Sequence, residues 1–333
     1  LGDAEWVRTG EGESGMPVGT TVYVDTQTRA QLQEVIPSTT WAEPPAALRG
    51  LTALPNGVMA GFFGNTLCFC EPFHPYAWPA DYQHATEHPI VALAAFDQTL
   101  VVGTTGFPYY VSGADSASMA AIKLQRAQAC VSARSMIAVD GGVVYASPDG
   151  LCLANSSGVT VVTEELFTRE DWQKLNPSTM VCGYHDGVVY MVTTGGALSG
   201  CYALDVRVGR LVSLPLAASA FHNDMATDTL YAVSGTAISG LFSGTTRRTG
   251  VWRSAKIVLP AHAGWAWLGV ESDFEAPVTV RWYGDGVLRH TATVTSRTPV
   301  RMPSGRYLEH EIEVESAARM NSVTLATSGD DLR

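Results

Sequence analysis

His84-Ala-Thr-Glu-His88 has the H-x-x-E-H spacing of one class of zinc site, in which two imidazoles on one helix face hold the metal and the carboxylate acts as base. That chemistry needs a helix. Pro89 follows directly and Pro79 precedes closely, so the segment is expected to be a polar loop carrying two exposed histidines. Nucleophilic catalysis has no better footing: Ser, His and Asp are plentiful, but no G-x-S-x-G elbow occurs. A sialidase-like propeller enzyme gathers arginines and carboxylates at its mouth, whereas residues 90–166 carry few charges. Neither G-x-x-x-x-G-K-[ST] nor G-x-G-x-x-G is present, so nucleotide binding has no support. Glu309, Glu311 and Glu313 could be read as a calcium or acid–base stripe, but a solvated strand face explains them more simply. No catalytic, cofactor or metal residue is assigned, and the chain is expected not to be an enzyme.

Two features remain. Cysteines stand at 68, 70, 130, 152, 182 and 201, and are expected to be buried free thiols made in a reducing cytosol. The segment 71–79, EPFHPYAWP, is stiffened by its prolines and carries Phe73, Tyr76 and Trp78. Either these rings cap the chain's own core, or they are contact residues for a neighbouring subunit.

The elements that position such residues are short strands. Residues 136–154 read as strand, tight turn, strand, tight turn, strand, with Gly141-Gly142 and Asp149-Gly150 supplying reversals where positive φ is cheap. The unit recurs: first turns fall at 57, 98, 142, 187 and 229, spaced by 41, 44, 45 and 42 residues. A period near forty with several strands per repeat is the pattern of β-propeller blades, because one small sheet cannot bury both faces alone. Thr168-Arg-Glu-Asp171 resembles a capping box for a helix ending near Leu175, ahead of Asn176-Pro177.

Residues 1–48 form a lead-in, with short strands expected at 5–8 and 20–25 and a helix at 29–35 that Thr28 caps and Pro37 stops. It either ends a preceding β domain or lends the propeller a strand. Beyond Arg248 the pattern changes to alternation, as in Val278, Val280 and Trp282, and about seven or eight strands follow. The expected fold is therefore all-β: a propeller of five or six blades over 49–248 and a β-sandwich over 249–333.

A chain of 333 residues with a net charge of −11 is a poor candidate for gripping nucleic acid through its phosphates, although it could surround DNA without holding it. The uncharged run 187–204 is interrupted by Thr193, Thr194, Gly195 and Gly196, so it reads as a hairpin and not a membrane span. Leu1 is not an initiator and no signal peptide is seen, so a fragment or processed product is expected.

The run CFCEPFHPYAWP resembles the S-E-P-x-x-P-x-A-W-P passage of tail nozzle or hub proteins (tail tubular protein B-like) of short-tailed bacteriophages and related prophages. SMIAVDGGVVYASPDGLCL and VVTEELFTREDWQKLNPSTM are similar to the next passage of the same proteins, so the resemblance covers about 65–190 and continues more weakly to the C terminus. One departure is Cys70, where the pattern usually has Ser.

The resemblance implies a structural virion component with no catalytic residues. It would be a homo-oligomeric, typically hexameric, ring below the portal and adaptor proteins. Tail fibres or spikes would be neighbours, and viral DNA would pass through the lumen without sequence-specific binding. It further implies synthesis in the bacterial host cytoplasm, residence in the virion tail and no membrane insertion. A competing reading is a carbohydrate-binding protein for host attachment, in which Trp265, Trp267 or Trp282 would stack on sugars. A third, a propeller hydrolase, would need a convergent charged pocket.

Overall fold

A computed structural model describes residues 7–9, 32–35 and 37–332. The chain is all-β, built from antiparallel sheets, and its contacts divide it into two compact units, Leu1–Leu241 and Phe242–Arg333.

Five meanders follow one another through the first unit. The first comprises β3 (Arg49–Ala53), β4 (Met59–Phe63), β5 (Thr66–Phe69) and β6 (Gln83–Ala85); it follows a two-stranded pair, β1 (Val7–Thr9) and β2 (Leu32–Val35). The second holds β7 (Ile90–Phe96), β8 (Thr99–Thr104), β9 (Tyr109–Ser112) and β10 (Ala120–Lys123). The third holds β11 (Ile137–Val139), β12 (Gly142–Ala146), β13 (Leu151–Asn155) and β14 (Gly158–Val161). A short helix α1 (Arg169–Lys174) leads to the fourth, β15 (Val181–His185), β16 (Val188–Val192), β17 (Cys201–Asp205) and β18 (Arg210–Leu214). The fifth has three strands, β19 (Ala220–Asp224), β20 (Thr229–Ser234) and β21 (Ala237–Gly240).

Each repeated turn of the sequence joins the first two strands of one meander. Asp97, Asp186 and Asp228 hold φ of 49°, 47° and 48° there, a left-handed conformation that a short polar side chain tolerates. Strands β8 and β12 are buried on both faces, which explains why they read as near-continuous apolar runs without alternation.

Core clusters lie between successive sheets. Leu67 and Phe69 meet Leu100 and Val111; Val101 meets Tyr145 and Cys152; Val144 and Leu151 meet Cys182, Val189 and Leu204. Helix α1 starts at Thr168 as expected, with half of the capping box: the Thr168 hydroxyl accepts from the Asp171 amide at 3.2 Å and donates to the Asp171 carboxylate at 2.9 Å. The helix buries Trp172 completely, and the indole N–H donates to the Ser147 carbonyl at 2.8 Å.

The lead-in departs from expectation. Leu32–Val35 is a strand paired with Val7–Thr9, not part of a helix over 29–35. A seven-residue helix without a packed face is marginal, and inter-strand hydrogen bonds outweigh it. The strand expected at 20–25 lies outside the described residues.

Among its described residues the second unit has eight strands. One sheet joins β22 (Gly250–Arg253), β28 (Tyr307–Ser316), β25 (Val278–Gly284) and β26 (Val287–Val294), with β23 (Ile257–Ala263) also on β28. The other orders β27 (Val300–Arg301), β24 (Trp267–Ser272) and β29 (Met320–Ala326). Leu268 and Val270 of one sheet and Val278, Val280, Trp282 and Val314 of the other share one core. Among the described residues, no helix is long and apolar enough to cross a membrane.

Candidate contact surface

The excursion 71–79 begins where β5 ends, and alternation there puts Cys68 and Cys70 on one face. Both thiols are buried with Trp78, against Leu48, Met59 and Phe63. Trp78 is therefore an anchor: it is 3% exposed, its indole N–H donates to the Pro75 carbonyl at 2.9 Å, and its amide donates to the Ala42 carbonyl at 2.8 Å. Two reversals close between these anchors, through His74 N–H to the Glu71 carbonyl and Ala77 N–H to the His74 carbonyl, both at 2.9 Å.

The same reversals push the other two rings outward. Phe73 takes a φ of 62°, and its amide donates to the Gly57 carbonyl at 2.8 Å. Its ring lies over that glycine, where a Cβ would stand 2.5 Å from the ring. Phe73 is 77% exposed and Tyr76 59% exposed. Tyr76 packs edge-on against Trp41 and His74, each 5.7 Å away between centroids, and Trp41 and His74 are 4.7 Å apart. The segment thus presents apolar rings on a backbone already held in place, which lowers the entropic cost of contact. Of the three sequence-nominated residues, Phe73 and Tyr76 face outward, whereas Trp78 is committed to the chain's own core.

A second surface comes from the first turns. Asp97, Asp140, Asp186 and Asp228 are all exposed. Burial, then the neighbouring Asp140 carboxylate, raises the Tyr184 phenol above its ordinary value, and His185 Nδ1 lies 3.9 Å from Asp228 Oδ1. These contacts bring the first turns of the third, fourth and fifth meanders to one side of the unit.

The H-x-x-E-H segment is not a helix, and its two imidazoles pack on different rings. His84 sits on β6, edge-on to Phe69 at 5.8 Å, while His88 stacks on Phe107 at 6.3 Å. Both imidazoles are half-buried, not exposed on a loop, and Glu87 is held by Lys123 at 2.6 Å. Among the described residues, no group of three His, Cys, Asp or Glu is placed to hold a metal. All six cysteines are free and buried. Burial pushes Cys68, Cys152 and Cys201 up to about 11 and Cys130 to about 12, so these thiols stay protonated and unreactive at neutral pH.

The acidic stripe is not simply solvated. Glu311 and Glu313 are largely covered; Arg253 binds both, and Arg281 bridges Glu313 at 2.7 Å and Glu315 at 2.6 Å. Arg253 also lies over the Tyr283 ring at 4.3 Å. The tryptophans are divided in the same way. Trp265 and Trp282 both donate their indole N–H to His310 Nδ1 at 3.1 Å, and Trp282 is buried. His310 Nε2 lies 3.1 Å from the Tyr307 carbonyl, an arrangement that fits the neutral Nε2–H tautomer. Trp267 alternates with core-facing Leu268 on β24 and carries Arg301 5.6 Å above its ring.

No family model and no curated protein matches the sequence. Among solved structures, the extracellular domain of a one-component system from B. thetaiotaomicron is 14% identical with a TM-score of 0.40, covering 60% of this chain and 26% of that one. An exo-β-1,3-galactanase from Phanerochaete chrysosporium is 9% identical with a TM-score of 0.32, covering 86% and 98%. PorZ, a surface component of the type-IX secretion system of Porphyromonas gingivalis, is 12% identical with a TM-score of 0.34, covering 79% and 35%. At that level of similarity they identify neither a fold family nor a function for this chain.

Proposed function

We propose that the chain is a structural subunit of a bacteriophage tail nozzle, with its five meanders as propeller blades and its C-terminal sheets as a β-sandwich. Copies would assemble as a ring below the portal and adaptor, with fibres or spikes nearby, and the genome would leave through the lumen. The role is geometric and involves no catalysis.

The observation that supports this reading most is segment 71–79. Its sequence resembles the nozzle proteins, and its two outward rings, Phe73 and Tyr76, stand on a pinned backbone suited to contact with a neighbouring copy. Acidic first turns add a mechanism. If they face the lumen, Asp97, Asp140, Asp186 and Asp228 repel phosphates and let DNA slide.

Negative-stain imaging with native mass on the same concentrated sample tests the assembly. A ring whose hole admits duplex DNA is expected, and the double variant Phe73→Ser, Tyr76→Ser should remain monomeric. A wild-type chain that stays monomeric in the presence of its adaptor and portal would sink the proposal. For the lumen, changing the four aspartates to Asn in the virion should slow ejection; an unchanged rate counts against the electrostatic part.

A further inference from the structure

On the outer face of β24 and β29, a groove of about 390 Å³ opens beside Gly269. Strand alternation puts Leu268 and Val270 in the core and Gly269 and Glu271 on the opposite face, with Thr324 and Ser322 directly across on β29. Gly269 leaves the floor low: a Cβ there would stand 3.0 Å from the Leu332 side chain, which forms a wall. Asp331 comes from the closing turn Gly329–Leu332, where its carboxylate accepts from the Ser328 amide at 3.2 Å, and Arg297 comes from the loop between β26 and β27.

We propose that this groove binds a neutral saccharide. Glu271 and Asp331 offer acceptors, Arg297 offers donors, the Thr324 hydroxyl offers both, and the Ser322 hydroxyl, which donates to Glu271 at 3.4 Å, offers an acceptor, while Leu332 and Pro299 give apolar surface for C–H faces. Adjacent hydroxyls on a pyranose need this mixture of donors and acceptors. The charges also select the ligand. The lining sets two carboxylates against one guanidinium, that of Arg297, which disfavours an anionic ligand. The proposal is independent of the nozzle reading and gives the second unit a surface that could recognise glycan.

Saturation-transfer NMR on the full chain, with neutral tetrasaccharides of glucose, galactose and mannose as probes, tests it. Transfer from at least one probe is expected, with millimolar affinity. Glu271→Gln and Asp331→Asn should each weaken binding about tenfold or more while the near-ultraviolet circular dichroism of the tryptophans stays unchanged. Gly269→Leu, which fills the floor, should abolish it. No transfer from any probe, undiminished binding in Glu271→Gln and Asp331→Asn, or preferential binding of inorganic phosphate or calcium would overturn the proposal.

Discussion

The two units cover their sheets with different chemistry. In the first, successive meanders bury side chains such as Val101, Val144, Leu151 and Leu204, together with all six cysteines. In the second, Trp265 and Trp282 converge on one buried histidine, and an arginine–glutamate ladder joins the neighbouring strands β25 and β28. In a stack of sheets the faces between successive sheets can be filled by apolar volume alone, because each meets the face of the next. A pair of sheets leaves an outer face that must satisfy its own charges.

The contrast can be broken hardest at Trp172. Trp172→Ala removes a fully buried indole and its hydrogen bond, and should cost the first unit about 3–5 kcal/mol. Calorimetry should show that transition falling in temperature while the second unit's stays put. His310→Leu tests the other side: two indole donors lose their acceptor, and the second unit should lose about 2–4 kcal/mol, read by tryptophan fluorescence in urea.

Alkali sharpens the difference without mutation. The buried thiols have pKa values raised from 9.0 to about 11 or 12, so the unfolded chain ionises first. Their stabilisation is complete below pH 9.0 and is lost as pH climbs through the folded values. All six cysteines lie in Leu1–Leu241, so urea titrations above pH 9.0 should show the first unit weakening ahead of the second. Equal loss in both units would contradict the assignment. The smallest effect is expected at the surface: Phe73→Ser with Tyr76→Ser should cost about 1 kcal/mol, through loss of the edge-on contacts of Tyr76 with Trp41 and His74. A larger loss would mean that the two rings support the fold instead of serving contact.

Turn chemistry made the first unit legible. Asp186-Gly187 and Asn56-Gly57 announce reversals through local backbone preference, and each lies at the first hairpin of a meander. Thr168 announced α1 for the same reason. What sequence left open depends on distant partners. Trp265 and Trp282 are 45 and 28 residues from His310, and no spacing rule links them. Glu311 and Glu313 alternate like a solvated face, because the arginines that cover them come from β22 and β25. Within 71–79, composition nominated three rings together. The fold separates them, since the backbone turns at Phe73 and the Cys68–Cys70 face accepts only Trp78.

The grip of residues 41 and 42 on this excursion has a mechanical consequence. The Ala42 carbonyl accepts the Trp78 amide, and the Trp41 ring lies against His74 and Tyr76, all before the chain reaches β3. Tension arriving from upstream residues is therefore shared with the exposed loop before it loads the first sheet. In a single-molecule pull from the N-terminal side, Trp41→Ala should lower the force of the earliest rupture and leave later ones in place.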